Sequence, residues 1–434
     1  SGGAAGRAAA CRDSRAACRR PRRVKGARVA GLWSSGPHLA ALSALGIPNA
    51  RLFARHVRPA ATLHVQNSPV DARSVDIRIF DNQGLDIDKR QERKLENLFF
   101  REDIRRVGHY EMGNISYPNG VIDRYVDDLL GKLDLELVRP AGFKVLIDYD
   151  NGVAATALGR VLEEMNCSVI PLNASIEPPV VPQGTDAFNA RLAEMGVIVR
   201  AVRARMGIFI DSPGERCFLI DETGEVLDHE TAFAVLSLLQ LRKSPGMVVG
   251  PASASIAFAA IAERFGSRFM SAKMTPGAVL RTAQHKETVL ASDGAGGYAW
   301  PNFQVAFDAS FTAARALELM AATGVSLHHL RQEIPQVGYR HVTLFCPWEA
   351  KGRVMRTVME RHLRDRVDLT DGVKVFVEGG WALVVPDPDH PQYHVIASTQ
   401  DPNRVDSLLE EYVALVRDTV SVLQAELQVV TERE

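Results

Sequence analysis

Four short stretches of this chain hold residue types that can do chemistry. In Asp211-Ser212-Pro213-Gly214-Glu215-Arg216 two carboxylates flank a Pro-Gly turn. Carboxylate oxygens gathered on one tight turn suit a hard cation such as Mg2+. Pro213 supplies no side-chain oxygen and stiffens the loop, so a cation site competes with a plain turn between strands. Asp293-Gly294-Ala295-Gly296-Gly297-Tyr298 has the glycine density of a phosphate cradle, but ordinary turns look the same. In His64-Val65-Gln66-Asn67-Ser68-Pro69 the hydroxyl is on Ser68, directly before a proline. Residues before proline are extended and Ser favours turns, so this run also reads as a turn. Val385-Pro386-Asp387-Pro388-Asp389-His390-Pro391-Gln392-Tyr393-His394 combines two acids with two histidines. A carboxylate about 5 Å from a phosphate charge costs roughly 3 kcal/mol at an effective dielectric of about 20, so this run opposes phosphate.

These stretches belong to a chain of 434 residues, 46% hydrophobic and 24% charged, the composition of a soluble globular protein of roughly three or four domains. The formal net charge is -1, which gives no electrostatic case for nucleic acid. The apolar runs fall short of the ~20 residues of a membrane span. Cys11, Cys18, Cys167, Cys217 and Cys346 are scattered without a CxxC pair, so neither a zinc site nor a disulfide framework is indicated, and a reducing cytoplasm is the default compartment. Residues 1–28 hold nine Lys or Arg and one acid, Asp13. An exposed helix of the first domain is the leading reading. A transit peptide and a basic nucleic-acid tail, here lacking stacking aromatics, are the alternatives.

The elements around the loops follow from pattern. Phe143 to Asp148 is an apolar strand ending at Asn151-Gly152, Ala154 to Met165 has helical spacing, and Ser168 to Leu172 is again a strand. Strand, helix, strand implies a parallel pair with a crossover helix. Met206–Ile210 and Cys217–Ile220, split by the Asp211 loop, predict an antiparallel pair. The unit restarts with strands at Met247–Gly250 and Arg268–Met270 around a helix from Ser253 to Phe265. Thr288 to Ala291 is a strand leading into the Gly-rich run, and Ser310 to Thr323 a helix. From about residue 340 strands at 341–346, 373–377, 381–385 and 393–398 mix with helices at 355–363 and 405–427, an α+β texture.

Laid end to end, these units resemble the four-domain α-D-phosphohexomutases, which include phosphoglucomutases and phosphomannomutases. Cys11-Arg12-Asp13-Ser14-Arg15 is similar to the family's Gly-Arg-Asp-Ser-Arg element, Ser74 to Arg78 to the strand after its nucleophile loop, and Lys273 to Gly277 to a third-domain landmark. The phrases Arg78-Ile79-Phe80-Asp81, Gly84 to Asp88 and Glu92 to Glu96 are closest to the mutase-like half fused behind bacterial sugar-nucleotide transferases such as mannose-1-phosphate guanylyltransferases. The resemblance implies an α/β fold of three mixed α/β domains, 1–140, 141–241 and 242–338, followed by an α+β domain, 339–434.

It also implies where the chemistry of a phosphoryl-transferring sugar mutase should sit, and each place departs from the family. The family's Thr-Ala-Ser-His-Asn-Pro aligns with 64–69, which puts Gln66 in the carrier position. A carboxamide cannot take a phosphoryl group, and Ser68 substitutes only if the loop reshapes. The family's lysine beyond this loop falls at Asp76. The family's metal loop, Asp-Gly-Asp-x-Asp-Arg, keeps only Asp211 and Glu215 as carboxylates, with Arg216. The sugar-reading Gly-Glu-x-Ser-Gly-His becomes Asp293 to Tyr298, without its glutamate and serine. The phosphate clamp, Arg-Pro-Ser-Gly-Thr-Glu-Pro-x-x-Arg, loses both arginines to Val385 and His394, while phosphate recognition relies on bidentate arginine and N–H donors. Arg12, Arg15, Arg216, Asp293, Tyr298, His390 and His394 remain as candidate substrate contacts, and Mg2+ as the one implied cofactor, weakly supported. The expectation is a catalytically degenerate mutase-like module of sugar-phosphate and sugar-nucleotide metabolism. It would bind a hexose phosphate, a sugar nucleotide or a nucleotidyltransferase domain or subunit. An active intramolecular phosphotransferase using Ser68, Asp211 and Glu215 is the alternative, followed by an unrelated binding role for the cleft.

Overall fold

The computed structural model describes residues 7–12, 19–68, 74–176 and 184–431. The first unit contains β1 (Arg7–Arg12), α1 (Arg19–Trp33), β2 (His38–Ala44), α2 (Ile47–Val57), β3 (Ala61–Asn67), β4 (Val75–Phe80), α3 (Lys89–Phe100), β5 (Ile115–Ser116), α4 (Val121–Leu130) and α5 (Leu135–Val138). Its sheet runs β4-β3-β1-β2-β5. The exposed helix expected over residues 1–28 is corrected here: Arg7–Arg12 is the central strand, parallel to both β2 and β3, and the helix starts only at Arg19. Arginine-rich composition hid a strand that exists because both its edges find partners. Arg12 ends that strand opposite Ala44; Arg15 lies outside the described residues.

The second unit contains β6 (Lys144–Asp148), α6 (Ala155–Glu164), β7 (Ser168–Leu172), α7 (Thr185–Val202), β8 (Met206–Ile210), β9 (Cys217–Ile220) and α8 (His229–Lys243). β6 is parallel to β7 and β8, and β8 turns back antiparallel into β9, as the pattern predicts. The third contains β10 (Met247–Pro251), α9 (Ala257–Arg264), β11 (Arg268–Ala272), α10 (Pro276–Ala283), β12 (Thr288–Ser292), β13 (Tyr298–Trp300), β14 (Gln304–Phe307), α11 (Ala309–Thr323) and α12 (Leu327–Gln332). Its sheet order is β11-β10-β12-β13-β14.

These three sheets share one design. A first parallel strand sits between the second and third, and the third folds back on an antiparallel fourth: β2-β1-β3-β4, β7-β6-β8-β9 and β11-β10-β12-β13. The loops joining third to fourth strand are then equivalent, and they are the Ser68, Asp211 and Asp293 loops.

The fourth unit contains β15 (Gly338–Phe345), α13 (Trp348–Arg361), β16 (Val367–Asp368), β17 (Val373–Val377), β18 (Gly380–Pro386), β19 (Gln392–Thr399) and α14 (Val405–Thr431). The sheet, β15-β19-β18-β17-β16, is antiparallel throughout. Helices α13 and α14 cover one face through Val354, Val358, Tyr412 and Val416. The architecture is the expected one: three mixed α/β units, then an α+β unit.

One apolar core ties the first three units together. It runs from Tyr125 and Leu129 of α4 through Leu158 and Ile208 to Phe233 of α8 and Phe311 of α11. Asp308 is fixed at this junction. It accepts the Phe311 N–H as the cap of α11, the Tyr125 hydroxyl at 2.8 Å and the Gln304 amide at 2.6 Å. The fourth unit adheres to the third by a smaller seam of Ala252, Trp381, Leu383, Val385 and Ile396.

Candidate functional site

A cleft of about 1080 Å3 opens between the first and second units and takes in the first two of the equivalent loops. Its floor is the Asp211 loop, held by backbone from three sides. The N–H of Ile47, opening α2, donates to the Pro213 carbonyl at 3.0 Å; the N–H of Ala309, opening α11, donates to Gly214 at 3.1 Å; Cys217 N–H donates to Gly296 at 3.0 Å. Gly214 has φ +79, a left-handed turn that favours glycine. A Cβ on Gly152 would lie 2.9 Å from Ser212 Cα, so the loop after β6 must be bare to let the Asp211 loop close.

Within this loop both carboxylates are occupied. Asp211 Oδ1 accepts the N–H groups of Glu215 at 2.8 Å and Arg216 at 3.0 Å. Burial pushes its carboxyl up to about 7; those donors pull the other way and the Glu215 charge adds to the rise. Glu215 lies against two guanidiniums: Arg78 of β4 binds Oε2, and Arg51 of α2 approaches Oε1 at 3.4 Å. The same arginines hold Asp86, Arg51 at 2.7 Å and Arg78 at 3.1 Å. Burial opposes the charge on Asp86, but the two guanidiniums outweigh it and lower its carboxyl. Arg51 also donates to the Gly84 carbonyl at 2.7 Å and covers the Phe80 ring at 4.1 Å.

The residues present do not fit Mg2+. A hard cation needs several oxygen ligands free to point at it. Here one carboxylate closes its own turn, the second is neutralised by arginine, and Pro213 contributes none. Among the described residues no group of three acidic, His or Cys side chains is set to hold a metal.

Gln66 sits on β3 opposite Asp76 of β4, both lining the cleft, with Gln66 9% exposed. Its neighbour His64 is 3% exposed and its imidazole is lowered to about 4, by burial first and then by the charges of Arg78 and Arg51, so it is neutral at pH 7. Ser68 ends the strand at the mouth of the same cleft, its N–H bonded to the Ser74 carbonyl at 3.1 Å.

The Gly-rich loop lies beside the cleft floor, joined by a bridge between Arg216 and Gly297. Asp293 Oδ1 accepts the N–H groups of Ala295 at 2.8 Å and Gly297 at 2.9 Å, and Oδ2 meets Arg216 at 3.3 Å. Asp81 and Asp221 close their turns with the same i+2 and i+4 bonds. Asp293 thus builds its loop, and its remaining oxygen is taken by Arg216. Tyr298 is buried in the main core at 1% exposure, and the structure does not bring it to the cleft.

The His390 loop stands apart from the cleft lining. Asp387 accepts the N–H groups of Asp389 and His390, each at 2.8 Å, and faces His394 Nε2 at 3.1 Å. Burial opposes its charge, but these bonds outweigh it and hold the carboxyl down at about 2. Lys351 donates to the carbonyls of Asp387 and His390, both at 2.5 Å. His394 Nδ1 is 3.1 Å from His341 Nε2, and His390 is exposed. Val385 is buried in the seam with the third unit.

Sequence reasoning missed Arg51, Asp86 and the pairing role of Arg78. Arg78 and Glu215 are 137 residues apart, and nothing local marks either as the other's partner. It also missed Arg191, which lines the cleft bound to Asp148 at 2.6 Å and Asp150 at 2.8 Å.

Comparison with known proteins agrees with this architecture. Residues 123–224 match the phosphoglucomutase/phosphomannomutase alpha/beta/alpha domain II, and residues 228–337 match domain III of the same family. A phosphoglucomutase/phosphomannomutase of Thermococcus kodakarensis is 23% identical over 92% of this chain and 87% of its own. A probable phosphoglucosamine mutase of Methanopyrus kandleri is 25% identical over 96% and 91%. A phosphoglucomutase/phosphomannomutase family protein of Burkholderia thailandensis superposes with a TM-score of 0.80 at 16% identity, over 95% of this chain and 89% of its own. Two consecutive domain matches, near-full-length relatives and a shared fold lead to one conclusion: the chain is similar to the phosphoglucomutase/phosphomannomutase family in its central domains, along most of its length and in its architecture.

Proposed function

We propose that this chain is a phosphohexomutase-fold module of sugar-phosphate and sugar-nucleotide metabolism that has lost phosphoryl transfer and serves a structural or regulatory role. Binding a sugar ligand and supporting a nucleotidyltransferase domain or subunit is the form of that role we favour. The observation that carries the reading is the closure of the Asp211 loop by Arg78 and Arg51. A guanidinium neutralises Glu215 at the loop where the family resemblance expects a cation to neutralise a phosphoryl group. Phosphoryl transfer is largely positioning plus charge neutralisation, so a loop without cation ligands and a carboxamide at the carrier position each remove a separate requirement.

The test is incubation with glucose 1,6-bisphosphate and Mg2+, followed by intact-mass measurement and coupled assays on glucose 6-phosphate and mannose 6-phosphate. No mass gain and no turnover are expected. A phosphoryl adduct with turnover that Ser68→Ala abolishes would establish instead an active phosphotransferase built on Ser68.

A further inference from the structure

Helix α3 has no buried residue, although its start is well capped. Asp88 accepts the Gln91 N–H at 2.8 Å, and the Gln91 side chain accepts the Asp88 N–H at 3.0 Å. A helix of twelve residues is marginal in water on its own, and in proteins its stability comes from packing an amphipathic face. α3 carries such a face: Leu95, Leu98 and Phe99 recur at i, i+3 and i+4. All three are exposed, Phe99 at 75%. Phe100, 80% exposed, sets its ring edge-on to Phe99 at 5.5 Å, so the helix ends in an apolar knob. Ile104 and Tyr110 extend the exposed apolar surface beyond it.

Charge identifies what covers this surface. A groove of about 500 Å3 runs along α3, lined by Lys89, Arg90, Arg93, Lys94 and Arg101 against one acid, Asp103. Lys89 is paired with Glu92 at 2.9 Å, but Arg90, Arg93, Lys94, Arg101, Arg105 and Arg106 form no ion pair among the described residues. The cleft arginines Arg78, Arg191 and Arg216, by contrast, are all ion-paired. Helical spacing sets Arg90, Lys94 and Arg101 along one border of the apolar stripe and Glu92 and Glu96 along the other. The knob projects from the surface instead of lining a pocket. A projecting apolar end beside unpaired lysine and arginine fits a layer with an apolar interior and an anionic face. The helix extends about 18 Å, short of a ~30 Å hydrocarbon core, so the contact is peripheral.

We infer that α3 and the segment to Arg106 dock on an anionic phospholipid surface. Phe99 and Phe100 enter the interface, while Arg90, Lys94 and Arg101 meet headgroup phosphates. α3 lies outside the cleft lining, so this docking is independent of the proposed loss of phosphoryl transfer.

Co-sedimentation of the full chain with vesicles of phosphatidylserine in phosphatidylcholine, against phosphatidylcholine alone, tests the inference. The mixed vesicles should bind about tenfold more tightly at low ionic strength, and high salt should remove the difference. F99S/F100S and R90E/K94E change exposed side chains only. Each should keep the melting temperature and weaken binding to the mixed vesicles about tenfold. Binding to neither vesicle, equal binding to both, or either double variant binding normally would overturn the inference. So would two outcomes that assign another occupant. One is a dimer, seen by light scattering, that F99S/F100S dissociates while no vesicle binds. The other is binding of poly-glutamate without binding of vesicles, which would mark an acidic polypeptide as the partner.

Discussion

At the scale of the residue, Arg78 decides how the Asp211 loop is held. Glu215 is 12% exposed and would be a costly isolated charge without its guanidinium partners. Arg78→Met leaves it only the 3.4 Å contact with Arg51 and should destabilise the chain by about 3 kcal/mol. Glu215→Gln removes the negative charge and one of the two acceptor oxygens, leaving two arginines with Asp86 as their shared carboxylate. If the pair is coupled, Arg78→Met with Glu215→Gln should cost less than the sum of the singles by about 1–3 kcal/mol, read from urea unfolding midpoints; simple additivity would show that the contact contributes nothing. The departures from the family's motifs at Gln66, Pro213 and Val385 are legible in the sequence because each sits in register with a short motif. The compensation is not legible, because the partners of Glu215 come from β4 and α2, and only the folded chain brings them within reach. Tyr298 shows the converse failure. Alignment on glycine put it at a ligand-facing position, but it lies on the inward side of a short strand and fills the core.

At the scale of the element, the repeated third-to-fourth-strand loop explains why the candidate residues cluster. Crossover topology puts the ends of parallel strands on one edge, and an antiparallel fourth strand makes each loop a tight reversal. Such a reversal leaves N–H groups without partners, and Asp211 and Asp293 both satisfy them. That use has a pH signature for Asp211. Burial raises its folded carboxyl to about 7 from an ordinary value near 3.8. The folded state therefore holds a proton that the unfolded state releases, and stability from this group falls as pH rises between about 4 and 7. Asp211→Asn keeps an oxygen for both N–H groups and removes the titration. Between pH 4.5 and pH 8 the wild-type chain should lose about 3 kcal/mol relative to the variant, seen as a converging pair of melting curves at acid pH. A parallel pH dependence in both chains would exclude Asp211 as the source. Strands such as β7 and β8 were readable because their apolar runs are local. β1 was not, since Ala-rich sequence between arginines becomes a strand only by pairing on both sides with β2 and β3.

At the scale of the whole molecule, the candidate loops come from separate units, so any chemistry that needed several of them would depend on how those units are joined. The shared core through α4, α8 and α11 fixes three units rigidly enough to carry loops independently of the chemistry they serve, and the fourth is fastened by an apolar seam that includes Val385. Lys374 strengthens the seam by donating to the Ala252 carbonyl at 2.9 Å while its ammonium lies 3.8 Å over the Trp381 ring. The scaffold needs Asp308, Arg51 and the seam, none of which needs a phosphate, so the fold can persist under the proposed loss of phosphoryl transfer. Residues that act as a unit in catalysis lose their value together, and restoring one recovers little. Gln66→Ser places a hydroxyl where the family resemblance puts the carrier, in a cleft whose described arginines, Arg78, Arg191 and Arg216, are all ion-paired. We expect this variant to fold with an unchanged melting temperature, to gain no mass from glucose 1,6-bisphosphate, and to turn over neither glucose 6-phosphate nor mannose 6-phosphate. A phosphoserine at position 66 would show that the cleft still admits a sugar bisphosphate, and the electrostatic argument for its exclusion would fail at the same moment.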